Sequence, residues 1–400
     1  MPCINNINYT LKHLKSWMKP SRRHAGMLLA PAKITVQYQP LGVIGIIVPW
    51  NFPVMLSMGP LITALAAGNR AMLKLSEFTP HTNAVLKQLL NDKFDETVVA
   101  VIEGEAEVAA AFSSLPFDHL LFTGSTAVGR HVMRAAAANL TPVTLELGGK
   151  SPVIVAPDMP LDEAVERMIY GKCLNAGQIC VAPDYVFVAK GKVEEFKRAF
   201  QKKFNAMYGQ VSHNADYSAI INQRQFDRLL AVLEDAKAKG AQIVSANGEA
   251  IDNEQRKIPT QLITKVSDEM TLMQDEIFGP LLPIIEYETL DDAIDYVNNR
   301  PRPLALYIMS FDSAAQQQIL THTHSGGVCI NETVFHVAAD DAPFGGIGHS
   351  GMGHYHGKEG FLTMSHARTL LSRGRINTGK LVHPPYGNLI QKLLMKLFLR

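Results

Sequence analysis

Four hundred residues suffice for two or three packed domains, and a composition that is 47% hydrophobic and 19% charged excludes a mainly disordered chain. The 38 Lys and Arg against 37 Asp and Glu leave a net charge of +1, which gives no overall electrostatic reason to bind nucleic acid. Four cysteines (Cys3, Cys173, Cys180 and Cys329), none in CxxC spacing, exclude a disulfide scaffold and point to a reducing compartment, the cytoplasm.

The amino terminus lacks the basic start and apolar core of a secretory signal, and no apolar stretch approaches the ~20 residues that span a bilayer. From residue 40 onward, short apolar runs alternate with helical patterns. Val43–Val48 is unbroken and apolar, as in a strand buried on both faces, and a helix over Val54–Ala67 stops at Gly68. Runs at Ala71–Leu75, Val98–Ile102, Leu120–Thr123 and Val143–Leu147 follow, with helical segments between them. Such repeated βα units predict an α/β fold with a doubly wound parallel sheet, whose ligands bind beyond the carboxyl ends of the strands. Helices are expected over 162–176, 192–208 and 224–239, and strands near Tyr185, Leu281, Leu304 and Val328. These divide the chain into a first domain (1–147), a second α/β domain (148–347) and a C-terminal loop and tail (348–400). The tail, Tyr386 to Arg400, spaces Lys392, Lys396 and Arg400 among Leu, Ile, Met and Phe, predicting a basic amphipathic helix too short to span. Packing on its own domain or a sister subunit and contact with a membrane surface are both open to it.

Cys180, in Asn175-Ala-Gly-Gln-Ile-Cys180, falls between a predicted helix and a predicted strand. An isolated cysteine is by default a buried structural thiol; a neighbouring carboxylate makes a nucleophile of it. Glu146 is that candidate: a charge ending an apolar strand, costly to bury unless used or paired, with a solvent-facing strand end as its alternative. No GxSxG elbow is present, which removes a serine hydrolase. Gly346-Ile-Gly348-His-Ser-Gly351 matches GxGxxG, yet it neither follows a strand nor opens a helix. Thr123-Gly124-Ser125-Thr126 does both, so its backbone N–H groups can face a pyrophosphate. Lacking the Lys-Ser/Thr of a P-loop, it favours a dinucleotide over ATP. His322, His324, His349, His354 and His356 have no accompanying ligand spacing, so no metal is expected.

Taken in order, PWNFP (49–53), KLSE (74–77), FTGSTAVG (122–129), LELGGKSP (145–152), GQIC (177–180), EIFGP (276–280) and PFGG (343–346) resemble the motif series of the aldehyde dehydrogenase superfamily. GMGHYHGKEGF (351–361) resembles its class 3 branch, especially bacterial coniferyl aldehyde dehydrogenases. The resemblance implies Cys180 as nucleophile, Glu146 as general base and Asn51 as an oxyanion donor. It places Lys74 and Glu77 at the adenosine ribose, Trp50, Gly124 and Ser125 at the pyrophosphate, and Glu276 and Phe278 at the nicotinamide ribose and ring. NAD is the implied cofactor, because Glu77 would repel a ribose phosphate, with NADP left open. An aldehyde substrate, aromatic or medium-chain, and a homodimer built on the strand near 33–39 are implied too. KLSE carries Leu75 where the family usually has Pro, and the helical portion that family members fold ahead of PWNFP is expected to be missing or nearly so. A catalytically inactive homologue serving as a structural or binding subunit is the alternative function; a CoA-acylating relative is disfavoured by Glu146.

Overall fold

A computed structural model describes residues 1–398. The chain opens with α1 (Pro2–Trp17), β1 (Ser21–Arg23), α2 (Gly26–Leu29) and β2 (Lys33–Pro40). Ahead of the first parallel strand the chain carries one long helix, α1: it is 16 residues long, and Trp17, 8% exposed, packs against Phe361 with ring centroids 5.8 Å apart. Its sequence is mostly polar, and burial is confined to Asn6, Thr10 and Trp17. Cys3, Ile7, Leu14 and Trp17, with the buried Thr10 among them, still recur at helical spacing, a signal the sequence reading passed over.

The next stretch runs β3 (Val43–Ile47), α3 (Pro53–Ala66), β4 (Arg70–Lys74), α4 (Pro80–Asn91), β5 (Val99–Ile102), α5 (Ala106–Ser113), β6 (His119–Thr123), α6 (Thr126–Ala137) and β7 (Val143–Glu146). The five strands are parallel in the order β7-β6-β3-β4-β5, the arrangement of a dinucleotide fold whose order reverses between β3 and β6. The predicted strands hold here because each is apolar on both faces; Ile44, Ile46, Leu73, Val99, Leu120 and Leu121 are fully buried.

The second sheet is built from β8 (Pro152–Val155), α7 (Leu161–Cys173), β9 (Tyr185–Ala189), α8 (Val193–Tyr208), α9 (Gln223–Ala238), β10 (Gln242–Ser245), β11 (Gln261–Thr264), α10 (Thr271–Gln274), β12 (Leu281–Tyr287), α11 (Leu290–Asn298), β13 (Ala305–Met309), α12 (Ser313–His322) and β14 (Gly327–Ile330). Seven strands lie in the order β10-β11-β12-β9-β8-β13-β14. Three of them, β8, β10 and β11, escape the sequence reading: β8 starts at a proline directly after a glycine-rich turn, and the others have only four residues each. The helix expected to reach residue 176 ends at Cys173, with consequences for the site described below.

Past residue 348, where loop and tail were expected, the chain forms β15 (Gly351–Met352), α13 (Gly357–Thr363), β16 (Ser365–Ser372) and α14 (Leu389–Phe398). β15 pairs with β7, setting Gly351 opposite Glu146. β16 pairs antiparallel with β2 over its whole length, and with β1 they make a separate three-stranded sheet. The basic amphipathic helix is present as α14; Leu399 and Arg400 lie outside the described residues. Among the described residues no helix is long and apolar enough to cross a membrane.

Candidate active site

The carboxyl ends of β3, β4, β6 and β7 meet the amino-terminal side of the second sheet, and the residues singled out in the sequence collect there. After β3, Trp50 and Asn51 precede Phe52, whose left-handed conformation (φ 48°) turns the chain into α3; Pro53 occupies the first helical position, where its missing N–H is harmless. Asn51 is buried, 6% exposed. Lys74, at the end of β4, is 2% exposed; its Nζ donates to the Leu75 carbonyl at 2.9 Å and lies 3.5 Å from the half-buried Glu77 carboxylate. Ser125 caps α6, its Oγ accepting the Val128 N–H at 3.4 Å, so the Gly124–Ser125 turn points the positive helix end toward the cleft.

Glu146 ends β7 almost wholly buried, and neither carboxylate oxygen has a hydrogen-bond partner. Burial holds its carboxyl well above the usual carboxylate range, because an ion there would be neither solvated nor paired. The solvent-facing alternative for Glu146 is thereby removed. Thr123 Oγ1, opposite Glu146 in the β6–β7 register, is likewise buried without a partner.

Cys180 lies on a loop whose geometry explains GQIC. After α7, Asn175 and Ala176 both take φ 51° and Gly177 φ 73°. Three successive left-handed residues are strained for side-chain-bearing types, and Gln178 fixes them. Its amide donates to the carbonyls of Asn175 (3.0 Å) and Ala219 (3.1 Å), while its oxygen accepts the Ile221 N–H at 3.0 Å. Cys180 keeps partial exposure, yet protein surrounds its thiol. The thiol is pushed up to about 12 by burial first, then by the carboxylates of Glu276 and Glu146, against the opposing pull of the Cys180 and Val181 backbone N–H groups. It therefore rests as a neutral thiol.

Glu276 and Phe278 approach from the second sheet. The Glu276 carboxylate sits over Gly148, where a Cβ would overlap it, and accepts the Gly149 N–H. Burial and the neighbouring Asp184 push its carboxyl up to about 8, opposed by Gly149, Lys150 and Arg228. Phe278 takes φ 46° and meets Trp50 edge to face, 5.2 Å between centroids. The GxGxxG look-alike at 346–351 is a glycine turn against the edge of β7, with the Leu147 N–H donating to the Ser350 carbonyl, and it opens no helix.

Several residues bordering this site went unread in the sequence. Tyr355, 3% exposed, has its phenol raised far above its ordinary value by burial, then by Glu146 and Cys180, so it lies within electrostatic reach of both. His356 stacks on Phe344 (5.3 Å) and His336 lies 5.9 Å from the same ring. Burial lowers both histidines to about 4, so both are neutral. The Lys150–Asp184 pair anchors the segment before Glu276, Lys150 donating to the Leu272 and Asp275 carbonyls and Asp184 accepting the Ile277 N–H at 2.9 Å. Tyr355 and His356 fall in the GMGHYHGKEGF stretch and Lys150 in LELGGKSP, both read as motifs without a role for these residues; nothing in the local pattern marks Asp184.

The unpaired Thr123 hydroxyl and the capped start of α6 fit a dinucleotide laid across the strand ends. The whole of 1–370 matches the aldehyde dehydrogenase family. A probable coniferyl aldehyde dehydrogenase of Pseudomonas aeruginosa is 58% identical over 400 residues, covering 100% of this chain and 83% of that protein. A coniferyl aldehyde dehydrogenase of a Pseudomonas sp. is 49% identical over 395 residues, covering 98% of this chain and 82% of that protein. Among solved structures, substrate-bound AldH of Staphylococcus aureus superposes with a TM-score of 0.94 at 40% identity, covering 100% of this chain and 86% of that one. An aldehyde dehydrogenase of Mycobacterium tuberculosis complexed with NAD+ gives a TM-score of 0.85 at 31% identity, covering 94% and 78%. The chain belongs to the aldehyde dehydrogenase family. It is an NAD(P)-dependent enzyme that oxidises aldehydes.

Proposed function

We propose that Cys180 is the nucleophile, Glu146 the general base and Asn51 an oxyanion donor, and that the substrate is an aromatic aldehyde of the coniferyl aldehyde type. The observation that carries the reading is a buried carboxylate with no structural partner, Glu146, within electrostatic reach of the Cys180 thiol. A buried acid without a partner is destabilising, and general-base chemistry gives it a use. Once it has released its own proton to solvent, Glu146 takes the thiol proton as Cys180 Sγ bonds to the aldehyde carbon. The resulting oxyanion is met by the Cys180 N–H and the Asn51 amide. The bound nicotinamide supplies an acceptor for the two electrons and hydrogen of the aldehyde C–H bond. Glu146 releases the thiol proton to solvent and then accepts a proton from water as that water attacks the thioester; the C–S bond breaks, the Cys180 sulfur leaves as thiolate and takes up that proton, and the carboxylic acid departs. Trp50, Lys74, Glu77, Gly124, Ser125, Glu276 and Phe278 hold the cofactor in this reading, with NAD favoured by the Glu77 carboxylate. The residues divide between a cofactor domain (1–147) and a catalytic domain (148–347).

The aromatic lining supports a flat substrate. Beyond His336, Phe344, Tyr355 and His356, Tyr170 and Phe335 stack at 5.8 Å and 15° while 42% and 54% exposed. Both Pseudomonas relatives are named for coniferyl aldehyde. Steady-state rates on coniferyl aldehyde and a linear aldehyde, with NAD or NADP, test this. Coniferyl aldehyde with NAD is expected to give the higher kcat/KM, and Cys180→Ser to abolish NADH formation; a preference for the linear aldehyde overturns the substrate assignment.

A homodimer is proposed through the β1-β2-β16 sheet. Three strands with solvent on much of both faces, Leu371 49% exposed, make little core of their own. A second copy also covers α14, where Leu389, Ile390, Leu393 and Met395 are 85%, 52%, 70% and 59% exposed beside Lys392 and Lys396. Sedimentation of the chain truncated before Leu389 is expected to show weakened dimers. Intact dimers together with lost liposome binding assign the tail to a membrane surface instead. The four free thiols accord with a cytoplasmic protein.

A further inference from the structure

Lys172 has no part in the chemistry above, yet it is one of the largest fully buried side chains, 1% exposed, in the last turn of α7. Its Nζ donates to the Pro183 carbonyl at 2.9 Å and the Gly279 carbonyl at 3.0 Å. Those acceptors belong to different parts of the site. Pro183 lies between Cys180 and β9; Gly279 directly follows Phe278. The helix bearing Lys172 runs straight into the strained Asn175–Gly177 turn. From the other side, Gly177 presses on the same Gly279 carbonyl so closely that a Cβ on it would overlap the oxygen. One carbonyl is thus held between the Lys172 ammonium and the turn that presents Cys180. The neighbouring anchors Lys150, Asp184 and Arg228 grip residues 272–277 only.

We propose, resting on the assignment of Cys180 and of Glu276 and Phe278 above, that Lys172 is a positioning residue. It sets the distance between the nucleophile loop and the segment that holds the nicotinamide end of the cofactor. Burying an ammonium is costly, and burial lowers this one to about 8 despite the attraction of Asp184. A methionine would fill the space without that cost and leave both carbonyls unpaired. The cation exchanges stability for a fixed spacing, and misplacement by about 1 Å is enough to lose ~100-fold in rate.

The test compares Lys172→Met and Lys172→Gln with the unaltered protein. NADH binding is followed by fluorescence, and aldehyde oxidation by kcat and KM. Cofactor-free turnover of p-nitrophenyl acetate needs only the thiol and its base. Losing two charge-assisted hydrogen bonds is expected to weaken NADH binding or slow oxidation by ~10- to 100-fold in the Met variant. Ester turnover should stay within about threefold, and Gln, which keeps an amide donor, should fall between. Unchanged NADH binding and oxidation overturn the proposal. So does a parallel fall of ester turnover with the other two in both variants, since that marks general loss of structure. Failure of the underlying reading shows separately, as ester and aldehyde turnover that survive Cys180→Ser.

Discussion

Replacing Glu146 by Gln removes the charge that the fold leaves uncompensated while keeping the side chain's shape. In the unfolded chain the carboxyl titrates near its ordinary 4.5; in the fold, burial raises it well above that. Between those two points the folded state binds more protons than the unfolded one. Stability is therefore fully present below about pH 4.5 and falls as pH rises toward the folded value. The slope for one group is about 1.4 kcal/mol per pH unit. Glutamine is neutral throughout and carries no such slope, and its buried amide is as poorly partnered as the protonated acid. The variant should match the parent in thermal stability near pH 5 and gain on it as pH rises from there toward the folded value. By the usual conversion of roughly 2–4 °C per kcal/mol for domains of this size, the gain is about 3–5 °C for each pH unit. Over the same range its aldehyde turnover should be lower by ~10²- to 10⁴-fold, the ordinary worth of a general base. Differential scanning fluorimetry at several pH values, beside NADH production, reads both quantities. A melting difference that does not change with pH would refute the claim that Glu146 is held as the neutral acid. Full activity in the variant would remove it as the base.

Three further expectations follow from the geometry. Gly177→Ala asks a side-chain-bearing residue to adopt φ 73°, at about 1–2 kcal/mol, and drives a Cβ into the Gly279 carbonyl; kcat/KM should fall at least ~100-fold, and a fully active variant would show that the turn does not need this approach. Glu77→Gln takes away the carboxylate beside Lys74, so NADP should gain on NAD by roughly tenfold in kcat/KM; an unchanged cofactor ratio places the ribose elsewhere. Asn6 of α1 donates to Asp340 at 2.8 Å, so Asn6→Asp sets two carboxylates against each other and should cost about 1–3 kcal/mol, read as a lower Tm. Adding Asp340→Asn should restore it, and no rescue would mean that α1 is held by its aromatic contacts alone.

The alternation of apolar runs and helical segments over 43–147 is written in the chain because strands buried on both faces need no distant partner to reveal them. The ordered motifs were legible on other grounds. They were read through their resemblance to a known family's series, and among Asn51, Gly124, Glu146, Gly177 and Cys180 only Gly177 has a backbone, at φ 73°, that itself favours its residue type. What the sequence left undecided depends on which surfaces meet. Whether Glu146 faces water or a closed pocket was settled by β15 closing the edge of β7 from two hundred residues away. A polar helix at 2–17 became structure only through the site for Trp17 beside Phe361 and the acceptor at Asp340. Lys172, read alone, is one more charge on an amphipathic helix; the tertiary fold places it under the Gly279 carbonyl. Periodicity and turn chemistry act over a few residues and survive in a one-dimensional pattern. Desolvation, pairing and close approach are properties of the assembled interior, and they decided which charges this protein buries and what those charges can do.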